Sequence, residues 1–309
     1  MRPDTLAQHR QLYYEESIMF GNDKNSDVTS FIHDKKDSFP IGMHTHDFYE
    51  INIIYKGSGY HYIEKQCFDA SYGDVFVIPP KVAHGYYTED INNFQIINIL
   101  IKTSFISKYK KEFSKIPGYS ILFEIEPSLR TGISNKFFLH LTNKQLSLIN
   151  DKLVELLQKN EKSIAYDIYQ KGLIISIISR LSQFLQENYE AIISNSKKTD
   201  SAESTFILKS IEYMNSNYGQ KISIEKLAQI ASMSRSTYIR KFESIIKKSP
   251  IDYLISIRLK QACELLEKSD KSITEISLDC GFFDNSHFSK IFKSYYSISP
   301  YQYRKNTKI

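Results

Sequence analysis

Apolar residues change their period twice along the chain, and the changes divide it into blocks. Between about residues 28 and 126 the short runs INIIY, YHYI, DVFVIP and FQIINILI are rich in β-branched and aromatic residues and are separated by turn formers. Such runs predict antiparallel strands forming a small barrel or sandwich. From 142 to 191 the period becomes helical. Leu146, Ile149, Leu153 and Leu156/Leu157 make one stripe. Tyr166, Tyr169, Leu173, Ile174, Ile177, Ile178, Leu181, Phe184 and Leu185 make a second, wider one. One face of these helices is expected to cover the strands and the rest to form a homodimer contact. Residues 194–205 are polar and aperiodic and are expected to be a flexible linker. Residues 1 to about 25 read as a loosely held arm. The expected organisation is therefore a strand-rich domain over 1–193, a linker over 194–205 and an all-helical domain over 206–309.

The helical block repeats itself. Ser223-Ile-Glu-Lys-Leu-Ala228 matches Ser272-Ile-Thr-Glu-Ile-Ser277 at an offset of 49. After one inserted residue, Ser234-Arg-Ser-Thr-Tyr-Ile-Arg-Lys-Phe242 matches Asp284-Asn-Ser-His-Phe-Ser-Lys-Ile-Phe292 at an offset of 50. Each matched segment opens on Ser or Asp, whose side-chain oxygen accepts from the free amides of a first helical turn. Each copy thus reads as capped helix, tight turn, capped helix. Between them, residues 250–266 open on Pro250, favoured in a first turn, and predict one long helix. Such a rod would hold two reading helices about 34 Å apart, one turn of duplex DNA.

Composition narrows the function classes. The chain has 309 residues, of which 41% are hydrophobic, enough for two ordinary domains. Residues 206–309 carry 17 Lys and Arg against 10 Asp and Glu, a net +7, while the other 205 residues net −2. A basic module joined to a slightly acidic one favours a polyanionic partner for the former. No apolar run approaches the roughly 18 residues of a membrane span, and the first residues lack the apolar core of a secretion signal. Cys67, Cys263 and Cys280 are far apart and lack CxxC spacing, as in a reduced, cytoplasmic protein.

The run EISLDCGFFDNSHFSKIFKSYYSISPYQYR, with LAQIASMSRSTYIRKF and SPIDYLISIRLKQACELL before it, resembles the AraC/XylS family of bacterial transcription regulators. The likeness covers the whole basic module. Three positions depart from the family pattern: Ser277 replaces alanine, and Lys247 and Ser297 stand where glycine is usual after the reading helix. If those two positions need a left-handed backbone, each side chain costs about 1 kcal/mol. On the first reading helix Tyr238 and Phe242 are expected in the core. The resemblance then puts Arg235, Ser236, Ile239 and Arg240 on double-stranded DNA, arginine suiting guanine and Ile239 a thymine methyl. On the second, Phe288 and Phe292 form the core pair. Asn285, Ser286, Ser289 and Lys290 meet DNA, with His287 set aside as a packing residue.

In the strand block, His44, His46 and Glu50 share parity, so one continuous strand would project them to one face; a later run adds His84. These runs resemble the two cupin motifs, with departures at Ser38, Lys81 and Thr88. The expected fold class is α+β, a cupin-like β-barrel with two flanking helices followed by two helix-turn-helix units. Three readings of the His/Glu group stay open. It can bind a polar small-molecule effector, expected to be a carbohydrate; it can hold a divalent metal; or it can be a satisfied interior network. Tyr55, Tyr60, Tyr62 and Tyr86 are compatible with sugar stacking. The segments 115–119 and 123–130 also resemble regulators near the rhamnose-operon activators, which favours sugar utilisation. The resulting expectation is a regulator, more an activator than a repressor, that requires no cofactor and is not an enzyme. Its expected partners are DNA, an effector, RNA polymerase and a second copy. The competing class is a metal-dependent cupin enzyme fused to a DNA-binding module.

Overall fold

The computed structural model describes residues 12–15, 19–20, 26–34, 41–125, 127, 139–158, 163–195 and 200–307. The chain divides into two compact units, Met1–Ala191 and Ile192–Ile309.

The first unit is built on strands β1 (Leu12–Tyr14), β2 (Val28–His33), β3 (Ile41–His46), β4 (Tyr49–Lys56), β5 (Ser58–Ile63), β6 (Gln66–Ser71), β7 (Asp74–Ile78), β8 (His84–Tyr87), β9 (Gln95–Ile101) and β10 (Leu139–His140). They form two five-stranded sheets, ordered β1-β3-β8-β5-β6 and β10-β7-β4-β9-β2. Among the described residues only β1 and β3 pair in parallel. Ile54, Phe76, Ile78 and Ile96 of one sheet meet Ile63, Ala70 and Tyr86 of the other in a shared core. Tight closure from β4 into β5 needs Gly57: its φ is 69°, and a Cβ there would lie 1.8 Å from the Asn93 carbonyl oxygen.

Ile51, Ile53, Val75, Val77, Ile97, Ile99 and Ile101, on the outer face of the second sheet, are also buried. With both faces covered, β4, β7 and β9 read as near-continuous apolar runs rather than as alternation. Ser30 Oγ donates to the Leu156 carbonyl (2.7 Å) and Tyr55 Oη to Asn150 Oδ1 (2.6 Å), joining the sheet to helix α2 (Asn143–Leu157). Helix α1 (Thr103–Phe113), which the sequence pattern had not signalled, precedes a π-helical turn at Ile121–Ile125. Helix α3 runs from Ile164 to Asn195.

Two expectations change here. The wide stripe from Leu173 to Leu185 is buried within the unit itself, which leaves Ile164, Ile168 and Tyr169 of α3, with Leu148 and Val154 of α2, as the exposed large apolar residues of these two helices among the described side chains. Residues 194–195 and 200–205, expected as linker, are helical, because polar residues of ordinary helix propensity extend the flanking helices. Of the expected linker, 196–199 lie outside the described residues, as do 1–11, 16–18 and 21–25 of the expected arm and 126 and 128–130 of the sugar-regulator segment. The departure at Ser38 lies outside them too.

The second unit is helical: α4 (Asp200–Asn217), α5 (Ile224–Ile230), α6 (Arg235–Ile246), α7 (Pro250–Lys268), α8 (Ile273–Asp279), α9 (Asn285–Tyr296) and α10 (Pro300–Thr307). Ser223, Ser234, Ser249, Ser272 and Asp284 each accept a first-turn amide through the side chain, and Ser272 with Glu275 forms a reciprocal capping box. Tyr238, Phe242, Phe288 and Phe292 are fully buried, as their spacing required. Ser277, in place of alanine, is buried and donates to the Asp284 carbonyl (3.2 Å). At 19 residues and about 1.5 Å each, α7 is a rod of roughly 28 Å.

Lys247 and Ser297 end the two reading helices at φ 61° and 63°, and Ser232 occupies the first turn at φ 53° where the second copy has Gly281. Each places a side chain in the left-handed region that glycine tolerates best. Lys247→Gly, Ser297→Gly and Ser232→Gly are each expected to stabilise the helical unit by about 1 kcal/mol. Urea unfolding of the full chain, followed by far-ultraviolet circular dichroism, measures it; a lowered midpoint in all three would contradict the backbone argument.

Candidate functional site

The polar residues of the first unit converge between its sheets. His44 on β3 lies directly opposite His84 on β8, in the antiparallel pair of the first sheet. Glu50 comes from the facing sheet, between Ile78 of β7 and Leu100 of β9. The expectation of one continuous strand is therefore corrected: the chain bends at Asp47–Phe48, so His44 and His46 belong to one sheet and Glu50 to the other. They meet because both project into the same interlayer space. Glu50 Oε2 is 3.1 Å from His84 Nε2 and 3.1 Å from His46 Nε2. The His44 and His84 rings are 4.2 Å apart.

A cavity of about 220 Å³ opens there, lined by His44, Glu50 and His84 together with Tyr14, Met19, Phe31, His33, Ile41, Phe48, Tyr86, Asn98 and Leu100. His46 is not in its wall. It stacks on Phe48 (4.2 Å between ring centres) and stands behind the Glu50 carboxylate. Of the four tyrosines compatible with stacking, only Tyr86 reaches the cavity, and its ring face is already taken by His61 at 4.2 Å. Tyr55 points away to α2. Tyr14 of β1 is the aromatic that sequence reasoning missed; it sets its ring edge against His44 at 5.2 Å.

Asn98 was missed as well, although its signal was present: FQIINILI and EINIIY each hold one Asn inside an Ile-rich run. Asn52 and Asn98 are direct cross-strand partners. Asn52 Nδ2 donates to Tyr86 Oη (2.9 Å), while Oδ1 of both asparagines is buried without a hydrogen-bond partner among the described residues. A buried acceptor left unmatched costs about 1–3 kcal/mol, so the cavity is poised to receive donors.

Electrostatics agrees. Burial alone would raise the Glu50 carboxyl, but contacts from His46 and His84 outweigh it and hold it well below the usual carboxylate range. Burial, reinforced by the neighbouring His84, pushes His44 down to about 4. The wall at neutral pH thus offers a carboxylate, an uncharged imidazole and an amide oxygen, all able to accept.

In the second unit, Arg235, Ser236 and Arg240 on α6 and Asn285, Ser286 and Lys290 on α9 are exposed, while Ile239 and Ser289 are half-buried beside them. Arg235 Nε sits 3.1 Å from Glu225 Oε1 in an exposed ion pair of little energetic weight, free to exchange for a phosphate. His287 is exposed, with its ring edge toward Phe282 at 6.2 Å. Two other arginines are structural. Arg258 donates to the Tyr218 and Gln220 carbonyls (both 2.9 Å), and Arg304, closing the SPYQYR run, donates to Leu266 and Lys271 carbonyls.

Comparison with known proteins accords with both halves. Residues 29–175 match the AraC-like ligand binding domain and residues 227–306 match a helix-turn-helix domain. The chain is 28% identical over 287 residues to the HTH-type transcriptional activator RhaS of Mannheimia succiniciproducens, covering 92% of this chain and 96% of that one. It is 27% identical over 271 residues to the Msm operon regulatory protein of Streptococcus mutans, covering 86% and 87%. A solved structure, the DNA-binding domain of AdpA in complex with a target DNA, is 32% identical over 32% of this chain and 90% of that one, with a TM-score of 0.32. The chain belongs to the AraC/XylS family. It is a DNA-binding transcription regulator that responds to a small molecule. No helix among the described residues is long and apolar enough to cross a membrane.

Arg240→Ala is expected to weaken specific DNA binding by about 1–3 kcal/mol and to relax preference at one base position. Lys290→Ala should weaken all sequences alike and reduce the dependence of log affinity on log salt by about 1. Fluorescence anisotropy with specific and scrambled duplexes separates the two; unchanged binding by Arg240→Ala would remove α6 from the interface.

Proposed function

We propose that this protein is a sequence-specific transcription activator whose effector is a small neutral carbohydrate held in the cavity between the sheets. The observation that carries the reading is the convergence of acceptors in a small enclosed space: Glu50 carboxylate, Asn98 Oδ1 and His44, inside about 220 Å³. A ligand matched to that wall must donate several hydrogen bonds without bringing negative charge. A sugar hydroxyl array does so, whereas a phosphorylated or carboxylated ligand sets charge against Glu50. The likeness to activators named RhaS supports the activating sign.

DNA contact falls to Arg235, Ser236, Ile239 and Arg240 of α6 and to Asn285, Ser286, Ser289 and Lys290 of α9. The effector falls to His44, Glu50 and His84, with His46 fixing the carboxylate from behind. Bound sugar changes how β1, which carries Tyr14 against His44, packs on β3, and so biases the population competent to recruit RNA polymerase. The cavity senses and does not catalyse. Ile164, Ile168 and Tyr169 of α3 with Leu148 and Val154 of α2 supply the contact between two copies, giving four reading helices per dimer.

Titration calorimetry of the full chain against unphosphorylated and phosphorylated monosaccharides tests the effector class. Glu50→Gln and Asn98→Leu should each lower affinity for the responding sugar at least tenfold, near 1.4 kcal/mol, while effector-free DNA binding stays unchanged. Equal titration by the variants and the native protein, or preference for a sugar phosphate, overturns the assignment. Ile168→Glu should shift the sedimenting species from dimer to monomer; an unaltered sedimentation coefficient would move the contact elsewhere.

A further inference from the structure

We propose that Phe283, the residue immediately ahead of the cap of α9, is a specificity-determining contact with DNA that packs on the C5-methyl group of a thymine in the major groove. The proposal rests on α9 being a DNA-contacting helix and adds to it a base reader that its polar face does not include.

The two copies differ at this residue. Their turns follow the same backbone hydrogen bonds at an offset of 49: the Ala231 amide donates to Leu227 and that of Cys280 to Ile276, Ser232 to Gln229 and Gly281 to Leu278, Met233 to Ala228 and Phe282 to Ser277. The first copy then passes directly to its cap, Ser234, whereas the second inserts Phe283 before its cap, Asp284. An apolar residue just ahead of a helix cap ordinarily folds back onto the first turn. In the second copy Phe282 does this instead, being 4% exposed with its ring 5.0 Å from that of Phe288. Phe283 is 91% exposed, more than any other large apolar side chain among the described residues. Its ring adds nothing to the packing of the unit and stands in water until something covers it.

Position and chemistry select the occupant. A reading helix meets base edges in the major groove with its N-terminal residues, and at that end of α9 the exposed Asn285 and Ser286 follow Phe283 closely. On the edges that the groove presents, the thymine methyl is the apolar feature, and phenylalanine is among the side chains that pack on it. Asn285, Ser286, Ser289 and Lys290 are all polar, so that methyl is what they leave unread. The phosphate backbone suits the position less well. Asp284, next in the chain, keeps a carboxylate there as it accepts the His287 amide (2.7 Å), and its charge opposes a phosphate. An apolar contact also releases no counterions, which separates it from a phosphate contact by its salt dependence.

The probe is a duplex selected by the full chain from a random library, with affinity measured by fluorescence anisotropy. Each thymine is replaced in turn by deoxyuridine, which removes the methyl alone. At one position the native protein is expected to lose about fourfold in affinity, the worth of one methyl group taken out of water. Phe283→Ala should weaken binding to the parent duplex by at least that factor, leave the salt dependence unchanged, and bind parent and deoxyuridine duplexes equally at that position. Phe283→Leu should restore part of the methyl effect. Unchanged circular dichroism shows that the variants are folded. The proposal is overturned if Phe283→Ala binds the parent duplex as the native protein does, or if removing each methyl costs variant and native protein the same. Lost activation by RNA polymerase at unchanged DNA affinity assigns the ring to a protein partner and overturns it too. Asn285→Ala and Lys290→Ala are measured alongside. If they weaken binding and Phe283→Ala does not, this proposal alone fails; if none of the three does, α9 is off the DNA and both readings fail.

Discussion

The Glu50 carboxylate, taken out of water between two sheets, is the constraint around which the first unit is arranged. An isolated carboxylate in an apolar interior costs several kcal/mol even after relaxation, so it persists only where neighbours compensate. Here the neighbours come from the opposite sheet, and they are imidazoles whose outer nitrogens are anchored on their own backbone. The sandwich therefore holds its layers together in two ways. Branched aliphatic side chains fill the space on one side, and on the other a charged group waits for a ligand. A fold that only needed stability would place apolar residues at Glu50 and at Asn98, as it does at Ile51 and Ile53 of one strand and at Ile96, Ile97, Ile99 and Leu100 of the other. Keeping polar groups there sacrifices stability for the capacity to bind.

That same arrangement explains what could be read from the residues and what could not. Apart from α1 and the helical ends at 194–195 and 200–205, strand and helix identity followed from period, and the grouping of His44 with Glu50 and His84 followed from the resemblance to the cupin motifs. The route by which they meet did not. Equal parity in one strand and convergence from two facing sheets look the same in a one-dimensional pattern, and only the bend at Asp47–Phe48 distinguishes them. Tyr14 illustrates a second limit. It enters the cavity because β1 adds to β3 in parallel, a pairing between segments some thirty residues apart that no local propensity encodes. Asn98 was visible as a polar residue in an apolar strand, yet its meaning depended on which way that strand faced.

In the helical unit the correspondence between residues and structure is closer, because most of its signals are local. Caps act within one turn; all four expected caps form, and Ser249 adds a fifth ahead of Pro250. The stripe pairs Tyr238/Phe242 and Phe288/Phe292 have one buried solution each. What locality concealed was the division of labour among basic residues. Arg240 and Lys290 are exposed, whereas Arg258 and Arg304 spend their guanidinium groups on backbone carbonyls and leave little for DNA. A count of positive charge cannot separate the two kinds; the geometry of a planar fork facing carbonyl oxygens can.

Arg258 also bears on how the two reading units are kept in register. It projects from α7 and reaches the carbonyls of Tyr218 and Gln220, just past the end of α4, and its guanidinium lies 5.9 Å from the Phe282 ring. Gly281, in the turn of the second copy, sits so close to this junction that a Cβ would fall 2.5 Å from the Tyr218 oxygen and 2.9 Å from Arg258 Nη2. The first copy has Ser232 at the equivalent turn, with a left-handed backbone but room for a side chain. Glycine is thus demanded twice over in the second copy, by φ and by space, and only by φ in the first. The asymmetry follows from the function of the joint. A rod such as α7 fixes the distance between two recognition helices but leaves rotation about its axis free. Locking the second turn against the start of the first unit removes that rotation, and two helices that must enter successive grooves from one side of a duplex need both quantities fixed.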